Sequence, residues 1–133
     1  MTTPSYGFAK TLPTTAFADA VTKVTDALAA EGFGILSTID VSATLKKKLD
    51  VDVRPYTILG ACNPTLANKA LAAEPHIGLL LPCNVLVQGA EDGKGSTVSI
   101  LDPRAMMLMT NNAALNEVAA DAEARLKRVM AAL

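Results

Sequence analysis

Alternation and helical spacing divide the chain into elements before any single residue is weighed. Over residues 5–12, Tyr6, Phe8, Lys10 and Leu12 share one side, a pattern that predicts a first strand ended by Pro13. Phe17, Val21, Val24 and Leu28 then recur every three or four positions, one apolar stripe of a helix capped by Thr14 or Thr15 and stopped by Gly32. Residues 34–41 alternate again, with Ile35, Ser37, Ile39 and Val41 against Leu36, Thr38 and Asp40, and read as a second strand. Asp40 or Ser42 starts a short helix that turns Leu45 and Leu49 to one side and Lys46, Lys47 and Lys48 to the other.

Residues 56–61 read as a third strand, converted to a helix by Cys62-Asn63-Pro64. Asn63 is a good N-cap, and Pro64 suits the first helical position, where its missing N–H is not needed. Leu66, Ala70 and Leu71 carry this helix inward as far as Pro75. Residues 77–81 and 85–88 are expected to form one long fourth strand disrupted at Pro82, which has no N–H to donate. A turn rich in glycine and acid (90–95) returns the chain into a fifth strand, 96–101, as a hairpin. Asp102-Pro103 repeats the cap-and-proline signal before Met106, Met107, Leu108 and Met109. Thr110, Asn111 and Asn112 offer caps for a last helix whose stripe is Leu115, Val118, Ala122, Leu126, Val129 and Leu133. The order of elements and the tight hairpin predict one α+β domain over residues 1–133, with two long helices on one face of a curved antiparallel sheet.

Composition narrows the partners. Twelve basic and 13 acidic residues leave a net charge of −1, too little positive field to neutralise many phosphates, so nucleic acid is not expected. The three-lysine run reads as a solvated helix face. The longest apolar run is broken by Pro82, Cys83 and Asn84 and falls well short of the ~20 residues that span a bilayer as a helix. With no secretory leader pattern in the first dozen residues, the expectation is a cytoplasmic protein in which two cysteines serve as thiols, ligands or redox groups rather than as a staple.

Both cysteines precede asparagine, in Gly60-Ala61-Cys62-Asn63-Pro64 and Leu81-Pro82-Cys83-Asn84. If their strands are neighbours, Cys62 and Cys83 can meet as a soft-metal or redox pair, since thiolates select copper(I) or zinc, with Met106 and Met107 as softer neighbours. Alternatively each is a small buried hydrophobe. Asn63 and Asn84 have amides that bond a ligand or the backbone. The helix start at Pro64 favours an anion that Arg54 or Arg104 would pair with. His76 is the only histidine, so a three-histidine zinc site is excluded, and a cysteine nucleophile would depend on that one imidazole as its base. The expected ligand-binding set is therefore Cys62, Asn63, Cys83, Asn84 and Arg54, with Cys62 and Cys83 also as metal ligands. No catalytic residue or defined cofactor is assigned. A homodimer that presents a pocket or binds a partner without any ligand is the structural alternative.

Gly32-Phe33-Gly34, Asp40-Val41 with Ala43-Thr44-Leu45-Lys46, Arg54-Pro55-Tyr56, Leu59 to Pro64 and Leu79 to Val85 together resemble the domain of unknown function 302 family. The resemblance runs from about Tyr6 through the final helix. It implies a fold similar to one half of the TATA-binding protein, two helices against a curved antiparallel sheet, and it implies no reaction. Shared architecture with a DNA-binding protein carries no expectation of DNA binding.

Overall fold

The computed structural model describes residues 3–133. The chain runs β1 (Gly7–Leu12), α1 (Phe17–Ala30), β2 (Gly34–Asp40), α2 (Val41–Leu49), β3 (Tyr56–Cys62), α3 (Pro64–Ala73), β4 (Cys83–Gly89), β5 (Ser96–Leu101), α4 (Pro103–Thr110) and α5 (Asn116–Ala131). Short 3-10 turns occupy Pro75–Leu80 and Ala113–Leu115. The fold is α+β, with one five-stranded antiparallel sheet in the order β1-β5-β4-β3-β2.

Capping chemistry fixes most helix starts. Asp40 Oδ1 accepts from the Ala43 N–H at 2.9 Å, Asn63 Oδ1 from Leu66 at 3.2 Å, and Asp102 Oδ1 from Arg104 at 3.0 Å. Two helices start without a side-chain cap: α5, whose N-cap is Leu115, and α1, whose N-cap is Ala16. Neither Thr14 nor Thr15 caps α1; the Thr15 carbonyl instead accepts from Ser96 Oγ at 2.8 Å. Gly32, at φ +84°, turns the chain out of α1 in the left-handed conformation that glycine adopts without strain.

The expected strand over residues 77–81 is not formed. Pro75 opens a 3-10 turn that buries Ile77 and exposes Leu79, and the fourth strand begins only at Cys83. An apolar run this short does not set a period, and the proline at its start suits a helical first turn, so strand and helix readings compete and the helical one wins. The last helix also departs from expectation at its start, because Asn112 caps the turn Ala113–Leu115 and α5 follows from Asn116.

Both long helices lie on one face of the sheet. Strand residues Leu59, Val85, Val87, Val98 and Ile100 meet Val24 and Leu28 of α1 and Leu126 and Val129 of α5 in one core. A second, smaller cluster of Ala70, Ile77 and Leu115, flanked by Met106, Met107 and Val118, joins α3, the 3-10 turn, α4 and α5 beyond the end of the sheet. The gap between these two clusters holds the site.

Candidate functional site

Where β3 runs into α3 and the chain enters β4, a cavity of about 310 Å³ opens between the sheet end and helices α3, α4 and α5. That volume falls in the range of about 300 to 1,000 Å³ typical of small-molecule pockets. Its walls are Phe33, Ala61, Leu66 and Ala70 on one side and Met106, Met107, Val118 and Ala119 on the other, with exposed Leu36 and Leu71 also contributing. Among the described residues that line it there is no Asp, Glu, Lys, Arg or His. Its polar atoms come from Asn63, and four sulfurs, those of Cys62, Cys83, Met106 and Met107, border the same space.

The two thiols arrive from adjacent strands. Cys83 stands opposite Ala61 in the β3–β4 register, which puts Cys62 one residue beyond that pair. Both are free, half-buried thiols. Burial, and after it the neighbouring Cys62, pushes the Cys83 thiol up to about 11, so it stays protonated at neutral pH. A protonated thiol in an apolar wall is a weak nucleophile, and it must give up its proton to ligate a metal.

Asn63 already has structural partners. Its side chain is 8% exposed, Oδ1 caps α3, and Nδ2 donates to the Glu31 carbonyl at 3.4 Å. Arg125 Nη1 donates to the same carbonyl at 3.1 Å, so one backbone oxygen ties the end of α1 to the start of α3 and to α5. Among the described residues no buried side-chain nitrogen or oxygen lacks a partner.

Of the five residues expected to bind ligand, the structure brings together Cys62, Asn63 and Cys83 and leaves out the other two. Asn84 is exposed on the opposite face of the sheet, because consecutive strand residues point to opposite sides and Cys83 takes the inner one. Arg54 is exposed in the segment leading into β3, at the far end of that strand from Cys62, roughly 20 Å away at about 3.3 Å per residue. Arg104 is held in ion pairs with Asp102 at 2.8 Å and Glu123 at 3.3 Å, which pull it from the anion-binding role. His76 is exposed and does not line the cavity. Among the described residues no group of three or more His, Cys, Asp or Glu side chains gathers as a metal cluster. No described helix is long and apolar enough to cross a membrane.

Sequence reasoning missed the α5 wall. Ala119 and Ala122 fall where the apolar stripe would otherwise carry larger side chains, and these small residues leave room beside Val118. An alanine-rich stretch in an otherwise leucine and valine stripe was the available signal.

The family model of the domain of unknown function DUF302 matches residues 8–133. The crystal structure of an uncharacterized conserved DUF302 protein from Bacillus stearothermophilus is similar to this chain at a TM-score of 0.83 and 29% sequence identity, covering 98% of this chain and 97% of that one. No curated protein matches.

Proposed function

We propose that the chain, which belongs to the DUF302 family, is a binding protein that holds a small, uncharged, apolar molecule in the cavity between the sheet end and α3, α4 and α5. The observation that carries this reading is the lining: hydrocarbon and sulfur, one amide already bonded on both its atoms, and no charged group. A charged ligand entering such a wall would lose its hydration with nothing to replace it. An apolar ligand burying ~250 Å² gains ~6 kcal/mol at ~25 cal/mol per Å², before the cost of association. That gain alone would correspond to roughly tens of micromolar, so once the association cost is met the affinity is about millimolar. Thioethers and thiols are polarisable and adapt to varied shapes, which fits recognition by size and apolarity rather than by a hydrogen-bond code.

A second reading rests on the four sulfurs around one cavity and is a copper(I) site held by Cys62 and Cys83 with Met106 or Met107. The raised Cys83 thiol weighs against it, since binding must first remove that proton. A cysteine-dependent enzyme has less support still, as the sole histidine lies outside the cavity. The architecture like one half of the TATA-binding protein that the family resemblance implies would carry no role toward nucleic acid in a chain of net charge −1. Free thiols fit the expected cytoplasmic setting.

Displacement of the neutral dye N-phenylnaphthylamine tests the reading. Octanol should displace it and octanoate should fail to, because only the second carries a charge. Equal displacement by both, or none by either at saturation, sinks the proposal. Copper(I) titration against a competing chelator separates the second reading, which requires the affinity to vanish in a Cys62→Ser, Cys83→Ser variant.

A further inference from the structure

Two oxidisable thiols border the cavity, and an apolar ligand makes no use of their reactivity. Cys62 and Cys83 are both free and half-buried. The register brings their backbones close. Cys83 is the partner of Ala61, so Cys62 stands one residue along the neighbouring strand. Strands about 4.8 Å apart with a rise of about 3.3 Å per residue put the two Cα atoms roughly 6 Å from each other, inside the range of about 4.4 to 6.8 Å that a disulfide spans. Strict alternation would turn Cys62 away from Cys83. At Cys62, however, β3 ends and the chain bends into α3, so this residue joins the same cavity wall as Cys83. The raised Cys83 thiol reflects that nearness, since Cys62 is the second of its two causes after burial.

We propose that Cys62 and Cys83 join in a reversible intramolecular disulfide that weakens binding in the cavity. The weakening rests on the apolar-ligand reading; the bond itself does not. Among the described residues no third His, Cys, Asp or Glu gathers with the pair, and the cavity wall holds no imidazole to activate a thiol for catalysis. Two neighbouring thiols need neither to exchange with a disulfide. The oxidant is a low-molecular-weight disulfide such as glutathione disulfide. Cys83 keeps its proton at neutral pH, so Cys62 attacks first: its Sγ bonds to one glutathione sulfur and the other glutathione leaves as a thiolate. Cys83 Sγ then attacks Cys62 Sγ, and the second glutathione leaves in the same way. Each departing thiolate takes up the proton that the attacking thiol released. Two protein thiols are thereby oxidised, and one small disulfide is reduced to two thiols. Bonded sulfurs stand about 2.05 Å apart, so the bond turns both side chains toward each other and pins the start of α3 to the entry of β4. A ligand that packs against both sulfurs loses contacts and room there.

Wild-type protein equilibrated in glutathione buffers from fully reduced to fully oxidised, then alkylated and mapped by mass spectrometry, tests the bond. The expected product is a single chain that has lost the two thiol hydrogens, with Cys62 and Cys83 in one cross-linked peptide pair, and dithiothreitol should reverse it. Cys83→Ala should instead stop at a glutathione adduct on Cys62. The oxidised wild-type chain should bind N-phenylnaphthylamine about tenfold more weakly than the reduced one, and reduction should restore the affinity. Thiols that stay free in the fully oxidised buffer, stable glutathione adducts on both cysteines, or links only between chains overturn the proposal. A mapped bond that leaves dye affinity unchanged overturns the weakening. A reduced chain that binds no dye at saturation defeats the ligand reading and the weakening with it, while the peptide map decides the bond by itself, so the two proposals fail separately.

Discussion

Cys62 lies one residue beyond the register partner of Cys83, and the closeness of the two thiols helps burial hold the Cys83 proton to about 11. The folded value exceeds the ordinary 9.0, so the folded state holds this proton more tightly than the unfolded one. Its contribution to stability is complete below pH 9.0 and is lost as pH rises toward about 11. The difference between those values is worth roughly 2 to 3 kcal/mol. Urea unfolding below pH 9.0 and near pH 11 should show wild type losing more stability than Cys83→Ala. Equal losses in the two proteins would remove Cys83 as the cause.

Asn63 joins the cap of α3 to the end of α1. Replacing it with alanine removes the bond to the Leu66 N–H and the donation to the Glu31 carbonyl, and stability should fall by about 1 to 2 kcal/mol. Gly32→Ala should be destabilising as well, since a Cβ there would stand 2.9 Å from Asn63 Nδ2 on a backbone at φ +84°. In a double-mutant cycle by urea denaturation, part of the Gly32→Ala cost should disappear once Asn63 is alanine, leaving the backbone share. Full additivity would refute the contact.

Filling the cavity separates binding from folding. Ala119 lines it from α5 and is half-buried, so leucine at this position extends into empty space. Dye and octanol affinity should drop about tenfold, a change of ~1.4 kcal/mol, while the melting temperature holds or rises. Unchanged affinity would show that the ligand sits elsewhere.

Asp102 caps α4, and its carboxyl is held below the ordinary value of 3.8, chiefly by hydrogen bonds from the Arg104 side chain. A depressed carboxylate stabilises the fold above its unfolded value, and that contribution is lost as pH falls through the folded one. Asp102→Asn keeps a capping oxygen but has no charge to titrate, so its melting temperature should fall less steeply under acid than that of wild type. Parallel acid limbs would show that the Arg104 pairing adds nothing to stability.

The candidate site was partly legible in the chain. Cys62-Asn63-Pro64 marked the strand-to-helix junction, and the junction is where the cavity opens. Asn84 was grouped with Cys83 because the two are adjacent, yet adjacency within a strand is what sends them to opposite faces. Arg54 is the expected cation for an anion at the Pro64 helix start, yet the extended β3 between them carries Arg54 to the opposite end of the sheet. Met106 and Met107 could be linked to the thiols only by composition, and packing of α4 over the sheet end brings the four sulfurs around one cavity.

Local chemistry settled what depends on neighbours in the chain: the caps at Asp40, Asn63 and Asp102, the stop at Gly32, the hairpin after β4 and the apolar stripes of α1 and α5. These follow from hydrogen bonds and spacings within a few residues, which the sequence states directly. Which strands become neighbours, which side of β4 faces the helices and how much space α5 leaves at Ala119 and Ala122 were decided only when distant segments packed. A hollow is the space that surrounding side chains fail to fill, and no single segment contains it.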